Sequence, residues 1–201
     1  MGADFLRQYF GESARVAREL DVETVDRMVL RLVRLRDEKG RLFLCGVGGS
    51  AANCSHAVND FRKLAGIESY TPTDNVSELT ARTNDEGWDR VFADWLRVSH
   101  PSSKDVILVL SVGGGSRERN ISVNLVEVID EAKNVGMDVL GIVGRDGGYT
   151  REHGDIVLVI PTVNDAAVTP HTEAFQAVVW HAIVSDPRLA VCGTKWENVD
   201  R

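Results

Sequence analysis

The stretch LFLCGVGGSAANCSHAVNDFRK, residues 42–63, decides the fold of this 201-residue chain. It opens with a short apolar run, breaks at Gly46, passes through Gly48, Gly49 and Ser50, and then resumes with a helical pattern. A strand that feeds a glycine-rich turn and then a helix leaves free backbone N–H groups at the turn, and these suit a phosphate. The spacing matches neither the dinucleotide-binding pattern nor the Walker pattern. The turn is therefore either an anion site or only a tight strand-to-helix connection.

A second turn of the same kind favours the anion site. The apolar run DVILVL, residues 105–110, is typical of a strand that is buried on both faces. It leads into SVGGGS, which contains Ser111, Gly113, Gly114, Gly115 and Ser116. We expect a helix from about residue 117 to residue 135 directly after it. Ligands of parallel sheets bind at the carboxyl ends of the strands, so both turns are predicted to contact one phosphate.

Strands and helices alternate along the rest of the chain. Residues 1–39 predict two helices, because apolar residues recur there at three- and four-residue steps. Further strands are predicted near 69–71, 139–143 and 155–160, and further helices over 88–95 and from 171 or 172 to 185. This order predicts an α/β fold, a three-layer α/β/α sandwich with a five-stranded parallel sheet.

One domain should span residues 1–201. Within it, we expect residues 1–39 to cover the sheet and to contact other copies of the chain. Residues 40–188 should form the ligand-binding core, and residues 189–201 a tail that is loose or docked on a partner.

Composition narrows the class of function. A formal net charge of -7 argues against a general affinity for nucleic acid or for an anionic membrane, since both need a basic face. No apolar run reaches the length of a membrane span. The three cysteines, Cys45, Cys54 and Cys192, have no metal-like spacing, so we expect reduced thiols in a cytoplasmic protein.

The chain resembles the sugar isomerase (SIS) family, and within it the phosphoheptose isomerases. Four segments carry the resemblance: residues 46–60, 84–85, 111–116 and 173–181. It implies an α/β/α sandwich, a homotetramer with active sites between subunits, a sugar phosphate as the small-molecule partner, and often a bound zinc ion. No nucleotide cofactor is expected. The implied reaction is the aldose–ketose isomerisation of sedoheptulose 7-phosphate to D-glycero-D-manno-heptose 7-phosphate.

The resemblance also implies a role for each matching residue. Asp60 and His181 are the catalytic pair, and Asp85 lines the sugar pocket with Asn84 beside it. The metal ligands are His56, Asp60, Glu173 and His181. The phosphate-binding set is Gly48, Gly49, Ser50, Ser111, Gly113, Gly114, Gly115 and Ser116.

Several positions depart from the family pattern. The loop that is usually STSGNS here reads SVGGGS, so two hydroxyls are missing. Asp60 replaces the usual glutamate, Glu173 replaces a glutamine, and Val47 replaces an asparagine. These changes leave the substrate open between sedoheptulose 7-phosphate and another phosphosugar. A third possibility is a non-catalytic protein that binds a sugar phosphate, because the fold does not fix the function.

The spacing of the candidate ligands gives geometric expectations. His56 and Asp60 are four residues apart, so on a helix they lie on one face and could share a metal ion or form a surface ion pair. Glu173 and His181 are eight residues apart, a rise of about 12 Å on one helix. Either Glu173 lies in an irregular first turn, or the two residues serve one ion from different chains.

Overall fold

The computed structural model describes residues 2–195. The helices are α1 (Gly2–Glu19), α2 (Val22–Asp37), α3 (Gly49–Lys63), α4 (Val76–Asp85), α5 (Val91–Val98), α6 (Val123–Asn134), α7 (Gly148–His153) and α8 (Val168–Ser185). The strands are β1 (Leu42–Gly46), β2 (Ser69–Tyr70), β3 (Val106–Ser111), β4 (Asp138–Val143) and β5 (Ile156–Val159). A short 3₁₀ helix, Asp165–Ala167, precedes α8.

The five strands form one parallel sheet in the order β2-β1-β3-β4-β5. Strand order reverses between β1 and β3, which is where ligands of such sheets bind. Gly46 at the end of β1 pairs with Leu110 near the end of β3, so the two glycine turns lie side by side. The predicted five-stranded parallel sheet is therefore confirmed.

Helices cover both faces of the sheet. On one face, α2, α3 and α8 pack their apolar residues against the strands, with Met28, Leu32, Phe61 and Trp180 among those fully buried. On the other face, α5 and α6 form a second cluster that includes Phe92. Because β1 and β3 are buried on both sides, their sequences are continuous apolar runs rather than alternating ones.

The N-terminal helices differ in how they are covered. Helix α2 buries Met28, Val29, Leu32 and Leu35 within the chain. Helix α1 instead leaves apolar side chains on the surface: Phe5, Leu6 and Phe10 are 64%, 53% and 66% exposed.

Three helix boundaries were predicted wrongly. Helix α6 begins at Val123 rather than near residue 117, because Ser116 and Ile121 exchange backbone hydrogen bonds and fold residues 116–121 into a short hairpin. Helix α8 begins at Val168 rather than at residue 171 or 172, since Pro170 lies in its first turn, where proline is tolerated. Helix α5 begins at Val91 rather than at residue 88.

The last described residues pack on the body of the protein. Leu189 is buried, and the amide of Val191 donates to the carbonyl of Leu64. Residues 196–201 of the predicted tail lie outside the described residues. Among residues 2–195, no helix has the length and apolar character needed to cross a membrane.

Candidate active site

A cavity of about 780 Å³ opens at the carboxyl ends of β1, β3 and β4. Of the predicted phosphate-binding residues, it is lined by Ser50, Ser111, Gly113, Gly115 and Ser116. The remaining wall comes from the hairpin, from Ser122, and from the segment after β4, with Arg145, Asp146 and Tyr149. The sheet thus brings residues from three strand ends into one concave site.

Hydrogen bonds hold the 111–116 loop against α7. The carbonyls of Gly114 and Gly115 accept the amides of Thr150 and Tyr149 at 2.9 Å each. The Gly114 amide donates to Ser111 Oγ at 3.0 Å, so it is already used, and Gly114 does not line the cavity. Within residues 2–195, the amides of Gly113 and Gly115 have no hydrogen-bond partner. Both residues line the cavity, so their amides remain as unused backbone donors beside it.

The hairpin separates this loop from the helix that was predicted to begin directly after it. Ser116, predicted to open the helix, accepts the Arg119 amide through Oγ and pairs with Ile121. The residue that directly precedes α6 is Ser122, which has φ +47° and lines the cavity. The position of Ser122 at the start of α6 could have been predicted only by recognising that residues 116–121 form a hairpin between the glycine loop and the helix.

Three arginines contribute to the cavity wall. Arg117 is neutralised by Glu127 and Asp130, each at 2.6 Å. Arg145 has φ +53° in the turn that the Gly147 amide closes onto the Gly144 carbonyl. A non-glycine residue with positive φ costs about 1–2 kcal/mol. The sequence therefore keeps an arginine at a position that glycine would occupy more easily.

A carboxylate lies at the first glycine turn. A Cβ built on Gly49 would lie 2.6 Å from Glu173 Oε2, so the Glu173 carboxylate packs on the first residue of α3. A negative charge is favoured there by the helix dipole. Gly48 and Gly49 do not line the cavity, and Ser50 is the residue of this turn that does. The start of α3 thus already has an anionic neighbour from within the chain.

Three predicted metal ligands come together between α3 and α8. One ligand atom each from His56, Asp60 and His181 lies within 4.8 Å of the others. Asp60 Oδ2 is 3.8 Å from His56 Nε2 and 3.8 Å from His181 Nε2. The Asp60 side chain is 13% exposed, whereas the two histidines are 59% and 49% exposed. The group is open to solvent on the histidine side.

Hydrogen bonding fixes the tautomer of neutral His181. Its Nδ1 lies 2.7 Å from the carbonyl oxygen of Ala177. A carbonyl only accepts, so Nδ1 carries the proton and Nε2 presents its lone pair toward Asp60. The Trp180 ring packs against the rings of His56 and His181, at centroid distances of 4.7 Å and 3.5 Å respectively. His181 is therefore oriented as a metal ligand or a proton acceptor.

Three further predicted residues lie apart from this group. Glu173 is in a regular part of α8, so the irregular first turn that would have brought it to His181 is absent from that helix. Asn84 and Asp85 end α4, are exposed, and bond to each other at 2.7 Å. In this single chain, neither lines the cavity. Helix α4 was not predicted: it is short and buries no residue, although Leu79 packs against the cluster that contains Phe92.

Comparisons with known proteins identify the family of the chain. Residues 8–144 match the family model described as SIS domain. The chain belongs to the SIS domain family. A phosphoheptose isomerase from Roseiflexus sp. (strain RS-1) is 33% identical over 144 residues, which cover 69% of each chain.

A further relative and a solved structure are similar to most of the chain. The lincomycin biosynthesis protein LmbN of Streptomyces lincolnensis is 30% identical over 188 residues, 89% of this chain and 66% of that protein. Among solved structures, phosphoheptose isomerase GmhA from Neisseria gonorrhoeae superposes with a TM-score of 0.80 at 26% identity, covering 92% of this chain and 97% of that one.

Proposed function

We propose that the chain is an aldose–ketose isomerase whose substrate is sedoheptulose 7-phosphate and whose product is D-glycero-D-manno-heptose 7-phosphate. One observation carries the proposal: helix α3 links an anion-suited cavity, through Ser50, to a carboxylate–histidine group at His56 and Asp60. Ser50 and His56 are six residues apart, a rise of about 9 Å along the helix. The two side chains differ by about 120° in direction around the helix, and His56, Asp60 and His181 do not line the cavity of the single described chain. The substrate would therefore reach both sites where a second copy of the chain completes the active site.

The cavity would hold the phosphate. The free amides of Gly113 and Gly115 and the hydroxyls of Ser50, Ser111 and Ser122 are donors of the kind that phosphate oxygens need. Positioning of this kind fixes the carbonyl end relative to the catalytic group and lowers the barrier through orientation.

Asp60 and His181 would move the proton. Isomerisation removes a proton from the carbon next to the carbonyl, forms a cis-enediol and returns a proton to the neighbouring carbon. His181 Nε2 carries the lone pair that can accept a proton, and Asp60 Oδ2 at 3.8 Å can stabilise the imidazolium that results. The Ala177 carbonyl holds the ring in place meanwhile.

The same three residues fit a divalent metal, most simply zinc. Two imidazoles and one carboxylate are ligands that zinc prefers, and three protein ligands are typical of catalytic sites. Two bonds of about 2.0–2.2 Å can span the 3.8 Å between Asp60 and either histidine. The donation from His181 Nδ1–H to the Ala177 carbonyl is the kind of hydrogen bond that usually orients a histidine ligand. When bound, such an ion would occupy the Nε2 lone pair of His181, so the second oxygen of Asp60 rather than His181 would accept the proton. The ion would polarise the substrate carbonyl and stabilise the oxyanion.

The active form would be a homotetramer. The exposed Phe5, Leu6 and Phe10 of α1 give an apolar surface that a second copy could cover. A partner copy could also bring residues such as Asp85 to the site, since α4 buries no residue within its own chain. We place the protein in the cytoplasm, because free thiols such as Cys192 are typical of a reducing compartment.

A different phosphosugar is the second candidate substrate. The hairpin of residues 116–121 favours it, because Arg117, Glu118 and Arg119 extend the cavity wall beyond the glycine loop. A longer or differently substituted sugar could contact those side chains.

Incubation with sedoheptulose 7-phosphate tests the proposal, with the aldose product detected by NMR. Ketose phosphates of other chain lengths, offered in parallel, separate the two candidates. Turnover of the seven-carbon ketose with the highest kcat/KM supports the proposal. Preference for another ketose favours the second candidate, and binding without turnover of any of them would indicate a non-catalytic sugar-phosphate protein.

A further inference from the structure

Arg145 is a cation of the cavity wall that neither the ion pairs of the fold nor the proposed reaction uses. Arg117, on the same wall, is held by two carboxylates. Within residues 2–195, the Arg145 guanidinium has no hydrogen bond or ion pair. An uncompensated arginine at a concave site is a natural partner for an anion, because its planar fork matches phosphate oxygens.

The position of Arg145 directs it toward the glycine loop. A Cβ built on Gly113 would lie 4.0 Å from Arg145 Cδ, so the side chain runs beside the loop that carries the free Gly113 and Gly115 amides. Arg119 also lines the cavity, from within the hairpin. Loop and arginine therefore form one cluster of unused donors.

The backbone of Arg145 has a positive φ, as do four other non-glycine residues within 2–195. Its φ of +53° lies in the region that glycine prefers, and the neighbouring positions 144, 147 and 148 are all glycine. Strained residues of this kind cluster at functional sites.

We propose that Arg145 binds the phosphate of the substrate and compensates for the two hydroxyls that the SVGGGS loop lacks. The inference rests on the proposed function for the identity of the ligand, a phosphate monoester. It adds a charged, bidentate donor beside the neutral amides and hydroxyls of the 111–116 loop, in a cavity wall that also carries Arg119, Glu118, Asp146 and Glu152. Substrate recognition should therefore be more sensitive to salt than a hydroxyl-lined site would be.

Two variants separate binding from folding. Arg145→Gln removes the charge and keeps a side chain, and should raise KM by about 10- to 100-fold with little change in kcat. Arg145→Gly removes the guanidinium and relieves the backbone, so it should raise KM similarly while Tm stays equal or rises. Arg145→Lys keeps the charge without the fork and should fall between wild type and Arg145→Gln. Arg151→Gln is the matched control. It removes the same charge at a position six residues further along the chain, and the Arg151 side chain does not line the cavity.

Inorganic phosphate provides a readout that does not depend on isomerase activity. Phosphate should raise the Tm of wild type and of Arg151→Gln, and the apparent phosphate affinity of Arg145→Gln and Arg145→Gly should fall by about 10-fold or more. Equal phosphate stabilisation of all four proteins, or of none, would overturn the inference. So would an unchanged KM in both Arg145 variants of an active enzyme. If phosphate binding depends on Arg145 but the protein shows no isomerase activity, the phosphate-binding role of Arg145 is supported and the proposed function is contradicted.

Discussion

The cavity and the His56–Asp60–His181 group are built in different ways. The cavity lies at the carboxyl ends of three strands, and its loop is held by backbone hydrogen bonds to α7. The histidine group lies on two helix surfaces, and both histidines are about half exposed. Substrate binding is thus assigned to a concave region whose loop is fixed by backbone hydrogen bonds, and proton transfer to a region that is open to solvent. The difference indicates that chemistry needs a further component on the open side, either a metal ion, the substrate itself or a second copy of the chain.

The largest effect on activity should come from a change in the His56–Asp60–His181 group. His181→Ala removes the oriented Nε2, and kcat should fall by at least about 10³-fold with KM changed far less. Metal content after purification without chelator should fall with it. His100→Ala, at an exposed loop histidine, is the control and should keep full activity. Wild-type turnover by His181→Ala would mean that the group is structural.

Gly114→Val should disrupt the cavity by displacing the 111–116 loop that lines it. A Cβ there would lie 1.8 Å from the Gly147 carbonyl oxygen, and φ is +71°, so the loop must separate from α7. We expect a loss of about 3 kcal/mol or more in the free energy of unfolding, together with a raised KM.

Gly48→Ala provides the matched comparison for that glycine. Its φ is +64°, but nothing lies within 4 Å of the added Cβ. Because its φ of +64° and ψ of -127° lie in a region that glycine adopts more readily than other residues, the strain should cost about 1–3 kcal/mol, without the steric contact that adds to it at Gly114. Similar losses for both variants in urea unfolding would show that the contact between the loop and α7 does not hold the cavity.

A moderate effect is expected at the opposite end of the strands. Burial alone would raise the pKa of Asp105, but hydrogen bonds from the Arg41 side chain and from the amides of Arg41 and Ser102 outweigh it and hold the pKa below its ordinary value. The pair connects the starts of β1 and β3. Asp105→Asn should lower stability at pH 7 by about 1.5–3 kcal/mol while leaving KM unchanged.

The pH dependence of this effect has a definite sign. A depressed folded-state pKa stabilises the fold above the unfolded value of about 3.9, and that stability is lost as pH falls through the folded pKa. The gap between wild type and Asp105→Asn should therefore narrow below about pH 4 in denaturant titrations. Asp89→Asn, at an exposed position, should have the same free energy of unfolding as wild type both at pH 7 and below about pH 4. A gap that widens on acidification would contradict the assigned pKa direction.

The smallest effect is expected in cysteine labelling, which tests whether α3 joins the cavity rigidly to the His56–Asp60–His181 group. Cys45 on β1 and Cys54 on α3 are fully buried, and burial raises the pKa of both thiols, whereas Cys192 is exposed. Iodoacetamide at pH 8 should label one cysteine of the native protein, Cys192, as read by peptide mass spectrometry. Labelling of Cys54 at a comparable rate would show that α3 opens, and that the two regions are not rigidly joined.

Sequence reasoning predicted the sheet well because its signals are local. The apolar runs before Gly46 and at residues 106–111 each indicate a buried strand, and glycine marks where each strand ends. The late start of α6 was missed because residues 116–121 contain helix-compatible charged residues. Only the pairing of Ser116 with Ile121 turns them into a hairpin.

The site was predictable only in part. Residues four apart on a helix meet by geometry, so His56 and Asp60 could be placed together before the structure was known. Arg145 could not, because its approach to Gly113 depends on how the turn after β4 packs on the turn after β3. The position of Glu173 beside Gly49 likewise depends on the packing of α8 against α3.

Isomerisation of sedoheptulose 7-phosphate in D₂O tests most directly whether the cavity and the histidine group act on one molecule. NMR should show deuterium at C2 of the aldose product and at C1 of recovered ketose, because a protein group exchanges the proton with solvent. Exchange should disappear in His181→Ala and should need higher substrate concentrations in Arg145→Gln. Saturable binding of the sugar phosphate by the wild-type protein with no deuterium at either carbon would contradict the account.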